Sequence, residues 1–330
     1  MGVIFFTFVL MNILVIQTTD SGVYYHRQRA PHIIWDESGD EFKDDGVIIV
    51  EVSHREKLMN VVNNNHFDIV QFSVAASGFE HIPHFVDFMK RRGSKFVLDI
   101  DDRYHKRKDV SKSIKIADAI TTVSDYLAQY YMSYGAKRYP HVIENGVDSQ
   151  ERQFEIYPVA NDQPIFGYLG STRHEDDLKI MDYNFHSREV LTVCEEYYKI
   201  LDLNHYTSLK HWSEYAWEYN AIDVALAPLQ DNPFNNSKSF LKVIEAGFKK
   251  KAIICSDVEP YNRKIHSEFR DVIDLIPLGT SWKDRIESYT LEEAHQRGEE
   301  LYKLVQPFEL RNLNKKRREI YEHIIKTPRR

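Results

Sequence analysis

Cysteine is almost missing from this chain. Two residues among 330, Cys194 and Cys255, cannot build a disulfide framework, and Cys255, following the apolar Ala252-Ile253-Ile254, reads as a buried thiol at a strand end. Also missing is an uninterrupted apolar run long enough to cross a bilayer. The most hydrophobic stretch, Val3 to Ile16, is broken by Asn12, has no Lys or Arg before it and no small-residue cleavage site after it. That argues against an anchor or a secretory signal and for a cytoplasmic protein, with the first ten residues a loosely packed tail and the natural start at either Met1 or Met11. The fifteen histidines form no HExxH or comparable ligand set, and no repeat of solenoid length or low-complexity segment occurs. A net charge of −7 argues against a broad nucleic-acid surface, although a local basic groove is compatible with it.

What is present suits packed cores. Hydrophobic residues make up 42% and charged residues 28% of a chain longer than one core usually organises, so two domains are expected. Strand-like runs at Asn12 to Gln17, Val47 to Val52, Ile69 to Phe72, Lys95 to Ile100, Ala119 to Val123 and His141 to Ile143 alternate with helix-like segments. Their Val and Ile content without strict alternation predicts parallel strands covered on both faces, hence an α/β doubly wound sheet. A polar stretch from Ser149 to Gln163 interrupts this pattern and reads as a linker, after which Pro164 to Gly170 opens a second α/β unit. The aromatic segment His205 to Tyr219 reads as a packed helix, and Lys249-Lys250-Lys251 as a solvated helix end.

Two segments carry chemistry. Ile222 to Tyr261 reads as a strand, a polar loop, a helix and a second buried strand: the apolar run Val224 to Ala227 stops at Pro228, and Asp231 to Ser239 supply amides, hydroxyls and Lys238 where a helix begins. A helix start attracts anions, and Glu245 on the same helix offers a carboxylate to vicinal hydroxyls. Phosphate plus sugar suggests a nucleotide. The second segment, Phe96 to Tyr104, places Asp99, Asp101 and Asp102 at the carboxyl end of a strand, where open α/β sheets bind ligands. It admits three readings: Asp101 or Asp102 handles an acceptor proton, Asp99 and Asp101 hold magnesium, or the carboxylates cap a turn and pair with Arg103 or Arg107.

The order of these motifs resembles that of the GT-B glycosyltransferases, in particular the GT4-like group that uses nucleotide-activated sugars. Asp20-Ser21-Gly22-Val23 with Tyr24-Tyr25-His26-Arg27 is similar to the glycine-bearing loop after the first strand, which implies Gly22 at the donor and Tyr25 and Arg27 at the acceptor. Ala117 to Ser124 resembles the strand that ends the acceptor domain, implying Ser124 as an acceptor contact, and Val142 to Asp148 resembles the exit before the interdomain linker. Gly167 to His174 resembles the loop that opens the donor domain, implying Gly170, Ser171, Thr172 and Arg173 at the donor and His174 in catalysis. Ile222 to Tyr261 resembles the nucleotide-sugar region, with Glu245 on the ribose hydroxyls. Many members of the group carry two glutamates separated by seven residues, whereas this chain has Ser237 in the first place, so that Asn235, Asn236, Ser237, Lys238 and Ser239 would hold sugar and phosphates.

The resemblance implies two Rossmann-like domains facing a cleft. Residues 1–150 would bind the acceptor, 151–163 would be the linker, 164–305 would bind the nucleotide-sugar, and 306–330 would be a C-terminal helix free to pack back on the first domain. The implied reaction is sugar transfer from a nucleoside-diphosphate donor, UDP-sugar favoured, to a hydroxyl of a glycan or lipid-linked sugar, with retention and with no cofactor or metal. A DNA base or protein acceptor, and a nucleotide-sugar-binding protein without transfer activity, are the alternatives. Peripheral membrane contact and nucleic acid stay open as further partners.

Overall fold

The computed structural model describes residues 10–17, 22–73, 84–104, 108–157, 161–170, 174–181, 190–192, 205–206 and 210–329. They form two compact units, Met1–Asn145 with Leu310–Arg330, and Gly146–Glu309. Each unit is built on one six-stranded, wholly parallel sheet.

In the first unit the strands are β1 (Asn12–Gln17), β2 (Gly46–Glu51), β3 (Ile69–Ser73), β4 (Lys95–Ile100), β5 (Ala119–Thr122) and β6 (His141–Val142). They lie in the order β2-β1-β3-β4-β5-β6, with β1 in register so that Ile13 faces Val47 on one side and Ile69 on the other. Successive side chains enter opposite cores, which is why these strands read as continuous apolar runs. Leu14, Ile16, Val70, Phe72, Phe96 and Leu98 fill one face. Ile13, Val15, Ile69 and Val97 fill the other, against Trp35, Tyr321 and Ile324. The last two belong to the helix Leu310–Lys326, so the C-terminal helix completes the core of the first unit. Asn314 anchors it by donating to the Pro31 carbonyl at 2.7 Å and to Ser38 Oγ at 2.9 Å, and Lys95 holds the Thr327 carbonyl at 2.6 Å.

Toward the carboxyl ends of β3, β4 and β5 the row facing Tyr321 turns polar: Gln71, Asp99 and Thr121. Arg27 inserts there from the helical stretch 22–33, which begins with a helical turn and continues as a π-helix over Tyr25–Arg29. Its Nε and Nη2 reach both oxygens of Asp99 at 2.9 and 2.6 Å, while Nη1 donates to the Ile143 carbonyl at 2.5 Å and to Asn145 Oδ1 at 3.2 Å. Thr121 donates to Asp99 at 2.5 Å. With Arg27 at 2% and Asp99 at 4% exposure, this pair is sealed from water, and the nearby Asp99 holds the Arg27 guanidinium protonated against the cost of burial.

In the second unit β7 (Phe166–Tyr168), β8 (Val190–Thr192), β9 (His205–Tyr206), β10 (Val224–Ala227), β11 (Ala252–Ser256) and β12 (Asp274–Ile276) lie in the order β12-β11-β10-β7-β8-β9. Cys255 is fully buried on β11, as its sequence context predicts. The helix Leu291–Val305 packs on the helix Leu241–Phe248 through Gly247 and Gly298; a Cβ on Gly298 would lie 2.1 Å from the Lys250 carbonyl oxygen. Residues 151–157, read as the start of a linker, belong to this unit, with Gln153 and Phe154 buried.

Two sequence expectations are corrected here. His205 to Tyr219 is not one helix: His205–Tyr206 is a strand, residues 207–209 lie outside the described residues, and Tyr215–Ala221 is a 3-10 helix that buries Ala216 and Tyr219. Lys249 is not solvated, because its ammonium donates to the carbonyls of Gln153 at 2.9 Å and Glu155 at 2.5 Å.

Removing one member of a buried ion pair strands the other charge, whereas removing a helix cap costs one hydrogen bond. Asp99→Ala is therefore expected to destabilise by about 3–5 kcal/mol, and Ser124→Ala, which removes the cap of the helix Asp125–Ser133, by about 1 kcal/mol, both read from urea unfolding.

Candidate functional site

The strand order of the second sheet reverses between β7 and β10, and open parallel sheets bind ligands beyond the carboxyl ends of the strands at such a reversal. β7 leads into Leu169 and Gly170. A Cβ on Gly170 would lie 2.4 Å from the Tyr168 hydroxyl oxygen, so a glycine is required where the chain folds back over that ring. Ser171, Thr172 and Arg173 lie outside the described residues. Two donors converge on the Leu169 carbonyl, the Tyr215 hydroxyl and the Lys242 ammonium, and the latter also sits 5.4 Å from the centre of the Tyr168 ring.

Beyond β10 the helix Leu241–Phe248 begins without a side-chain cap, which leaves its first turn positive and uncovered by any side-chain acceptor of its own. One turn in, Glu245 is buried and accepts from the Tyr219 hydroxyl at 3.2 Å. Burial pushes its carboxyl up to about 7, against the pull of Lys242 and Tyr219. The same burial brings the Lys242 ammonium down to about 8, with Glu245 opposing that fall. One helix thus presents an acid and a base that both change charge near neutrality, the condition under which titratable side chains serve ligands or protons.

The loop before this helix is cross-braced by hydrogen bonds. Asn232 Oδ1 accepts from the amides of Phe234 at 3.1 Å and Asn235 at 2.9 Å, and Arg263 donates to the carbonyls of Lys238 at 2.7 Å and Asn236 at 3.3 Å. Asn235 spends its amide on Asp177 at 2.7 Å and the Gln230 carbonyl at 3.0 Å, and the buried Ser237 hydroxyl donates to the Phe234 carbonyl at 2.6 Å. These two residues, expected at the donor, instead shape the loop. Asn236 bonds Asp231 at 2.8 Å. Lys238 stays at the rim with its ammonium 4.7 Å from the Phe234 ring centre, and Ser239 is half-buried beside the helix start.

His174 precedes the short helix Glu175–Leu178 and places Nδ1 2.7 Å from Asp177 Oδ2. A carboxylate only accepts, so this ring nitrogen carries the proton. Burial alone would raise the Asp177 carboxyl, but hydrogen bonds from His174, the Gln230 amide and Asn235 hold it below its ordinary value. Asp177 therefore ties His174 to the loop after β10. The sequence hides it within the acidic run Glu175-Asp176-Asp177, which looks like a solvated helix start. Lys242, Tyr215, Tyr219 and Arg263 were likewise missed, because only the tertiary structure brings them to Leu169, Glu245 and the loop.

In the first unit, Asp101 follows β4 and is half-buried. Burial pushes its carboxyl up to about 8, with repulsion from Asp102 and Asp99 adding to the rise and Arg27 opposing it. The Tyr104 hydroxyl lies 3.4 Å from Asp101 Oδ1, and the Asp102 carbonyl accepts from the Tyr131 hydroxyl at 2.7 Å. Asp99 is committed to Arg27 and Thr121, and no group of three metal-ligating side chains converges among the described residues. Two acceptor expectations change: Arg27 is locked in the core with its guanidinium engaged, and Ser124 caps a helix through the Leu127 amide at 3.2 Å. Gly22, expected at the donor, is exposed, and a Cβ there would meet nothing within 4 Å. Tyr25 is buried edge-on to His26, with ring centres 5.1 Å apart.

No family model matches the chain, and no curated protein matches it in sequence. Among solved structures it is similar to the lipopolysaccharide outer core galactosyltransferase WaaB in its apo form, with a TM-score of 0.57, 13% identity, and 94% of this chain and 100% of that chain covered. The N-terminal domain of the Candida albicans trehalose-6-phosphate phosphatase gives 0.58, 10% identity, 96% and 98%. Trehalose-6-phosphate from E. coli bound with UDP-2-fluoro glucose gives 0.55, 10%, 84% and 77%. The chain has the GT-B fold. The carboxyl edge of the first sheet carries Asp101 and Asp102, which follow β4. No helix among the described residues is long and apolar enough to cross a membrane.

A carboxyl whose folded value is raised from 3.8 to about 8 contributes stability that is fully present below pH 3.8 and lost as pH climbs through 8. Asp101→Asn is thus expected to melt with the wild type at pH 4 and above it at pH 8.5. A melting-temperature difference that is flat across this range would remove the shifted carboxyl.

Proposed function

We propose that the protein transfers a sugar from a nucleoside-diphosphate donor, UDP-sugar favoured, to a hydroxyl of a glycan or lipid-linked acceptor. The observation that carries this reading is the buried Glu245 beside Lys242 on a helix whose uncapped start meets the switch point of a parallel sheet. A carboxylate there suits the vicinal hydroxyls of a ribose, while the helix amides, Lys238 and Lys242 suit a diphosphate. Such preorganised donors stabilise negative charge as it builds on the departing diphosphate, without reorganising during the reaction. Gly170 lets the backbone after β7 lie close to that site. Neighbours of the same fold include a galactosyltransferase and a protein solved with a UDP-fluorosugar, which agrees with this donor class.

Acceptor chemistry falls to the first unit. Asp101, with a carboxyl near 8, is poised to exchange a proton with a hydroxyl whose oxygen attacks the sugar. The reaction is proposed to proceed with retention and without a metal, the leaving diphosphate being neutralised by Lys238, Lys242 and the helix amides. A second reading, a nucleotide-sugar-binding protein without transfer, is favoured by one observation: Ser237 is sealed in the loop and gives the sugar no carboxylate.

Labelled donor separates the two readings, since transfer or hydrolysis of the sugar belongs to the first and retention of intact donor to the second. Within the first, Lys238→Ala is expected to lower donor turnover by about 10²-fold, and Glu245→Ala to raise the donor KM by about 10-fold with a smaller effect on kcat. Unchanged kinetics in both would remove the site. The charged Glu245 is the better acceptor, so the donor KM of the wild type is expected to fall as pH rises through about 7 and to lose that dependence in Glu245→Gln.

A further inference from the structure

Between the helical stretch 22–33 and the C-terminal helix Leu310–Lys326 lies a buried layer of polar side chains that the donor site does not use. Gln28, at 1% exposure, has neither amide atom hydrogen-bonded, and His32, at 3%, leaves Nε2 without a partner. Arg317, at 2%, has Asn314 as its only hydrogen-bond partner among the described residues and no carboxylate paired with it. Gln28 and His32 are one turn apart on one helical stretch. Asn314, Arg317 and Tyr321 share one face of the other helix, and contacts at both ends fix their register: Asn314 on the Pro31 carbonyl, and Trp35 stacked on both His32 and Tyr321.

Among the described residues, the other charged and hydroxyl groups named here are already satisfied. Asp99 answers Arg27, Asp45 is taken by Arg318 and the Trp35 indole, and the Tyr321 hydroxyl donates to Gln71. Among the described residues, the positive charge on Arg317 has no carboxylate paired with it. Leaving buried polar atoms unpaired costs about 1–3 kcal/mol each, and a buried guanidinium without a counter-charge more, so a layer with three unpaired atoms on Gln28 and His32 beside an Arg317 bonded only to Asn314 among the described residues calls for a ligand. The burial and the proximity of Arg27 lower the Arg317 guanidinium to about 10, and burial with Arg317 nearby brings the His32 imidazole down to about 3.

The hydrogen-bond inventory defines that ligand. Arg317 and Gln28 Nε2 are donors. His32 Nδ1 lies 2.7 Å from the Gln28 carbonyl and therefore carries the ring proton, which makes Nε2 an acceptor, and Gln28 Oε1 is a second acceptor. We propose that this layer binds a small monovalent oxyanion that keeps a hydroxyl proton, of the size and shape of hydrogencarbonate, and that its binding fastens the C-terminal helix to the first unit. Its charged oxygens face Arg317 and the Gln28 amide, and its hydroxyl donates to His32 Nε2. The site stands independently of the reading of the second unit.

The test is the melting temperature of the full chain at pH 8 and constant ionic strength in hydrogencarbonate, nitrate or chloride. Nitrate matches the shape and charge but has no proton to give. Hydrogencarbonate at about ten times its dissociation constant is expected to raise the melting temperature by about 2–4 °C over both other anions. That gain should vanish in Arg317→Met and, should that variant not fold, in Gln28→Leu. Equal melting in hydrogencarbonate and chloride overturns the proposal, as does an equal gain in nitrate or a gain that survives in the variants.

Discussion

A guanidinium and a carboxylate withdrawn from water must be matched donor for acceptor, and the pair Arg27–Asp99 meets that demand. Asp99 receives two bonds from Arg27 and one from Thr121, while the remaining Arg27 nitrogen holds the chain at Ile143 and Asn145. A helical stretch, β4, β5 and the segment leaving β6 are thereby fixed to one another at the carboxyl edge of the first sheet. A buried pair of this kind is weak evidence for added stability, since apolar residues could fill the same space. What it does supply is position. Asp101 and Asp102 follow β4 by one and two residues, so their place descends from how Asp99 is held, while the rise of the Asp101 carboxyl comes first from burial and then from repulsion by Asp102 and Asp99.

The second unit reaches a comparable result with a different device. Asp177 takes bonds from His174, Asn235 and the Gln230 amide, tying the loop after β7 to the loop after β10 across the switch point of the sheet. Arg263 closes the same loop from the other side through main-chain carbonyls. With these loops held by buried bonds, the proposed ligand groups are Lys238, Lys242, Glu245 and the start of one helix. Because Glu245 and Lys242 both titrate near neutrality, the local charge there responds to pH and to whatever binds.

Much of the fold was legible because parallel strands covered on both faces have to be apolar throughout. Asn12 to Gln17, Lys95 to Ile100 and Val224 to Ala227 were read with the boundaries they have. Aromatic spacing was less informative: Tyr219 buries its ring, and Tyr215 part of its own, in a 3-10 helix as they would in an α-helix, and periodicity alone does not separate the two. Lys249 looked solvated because the carbonyls that satisfy it, at Gln153 and Glu155, are remote in sequence. In the site, Glu245 and Lys238 could be named from a helix start and a polar loop. Their supporting residues could not, since Asp177, Lys242 and Arg263 earn their roles from contacts between loops. Conversely Arg27, Ser124, Asn235 and Ser237 have side chains suited to ligands, yet backbone and core groups consume them.

The central claim is that the switch point of the second sheet holds a nucleoside diphosphate. Its most direct test is a crystal structure of the protein soaked with UDP or a UDP-sugar. The account predicts ribose hydroxyls on Glu245 and the diphosphate against the start of the helix Leu241–Phe248 with Lys238 or Lys242. A nucleotide bound elsewhere, at the carboxyl edge of the first sheet beside Asp101 for example, with Glu245 untouched, would contradict it.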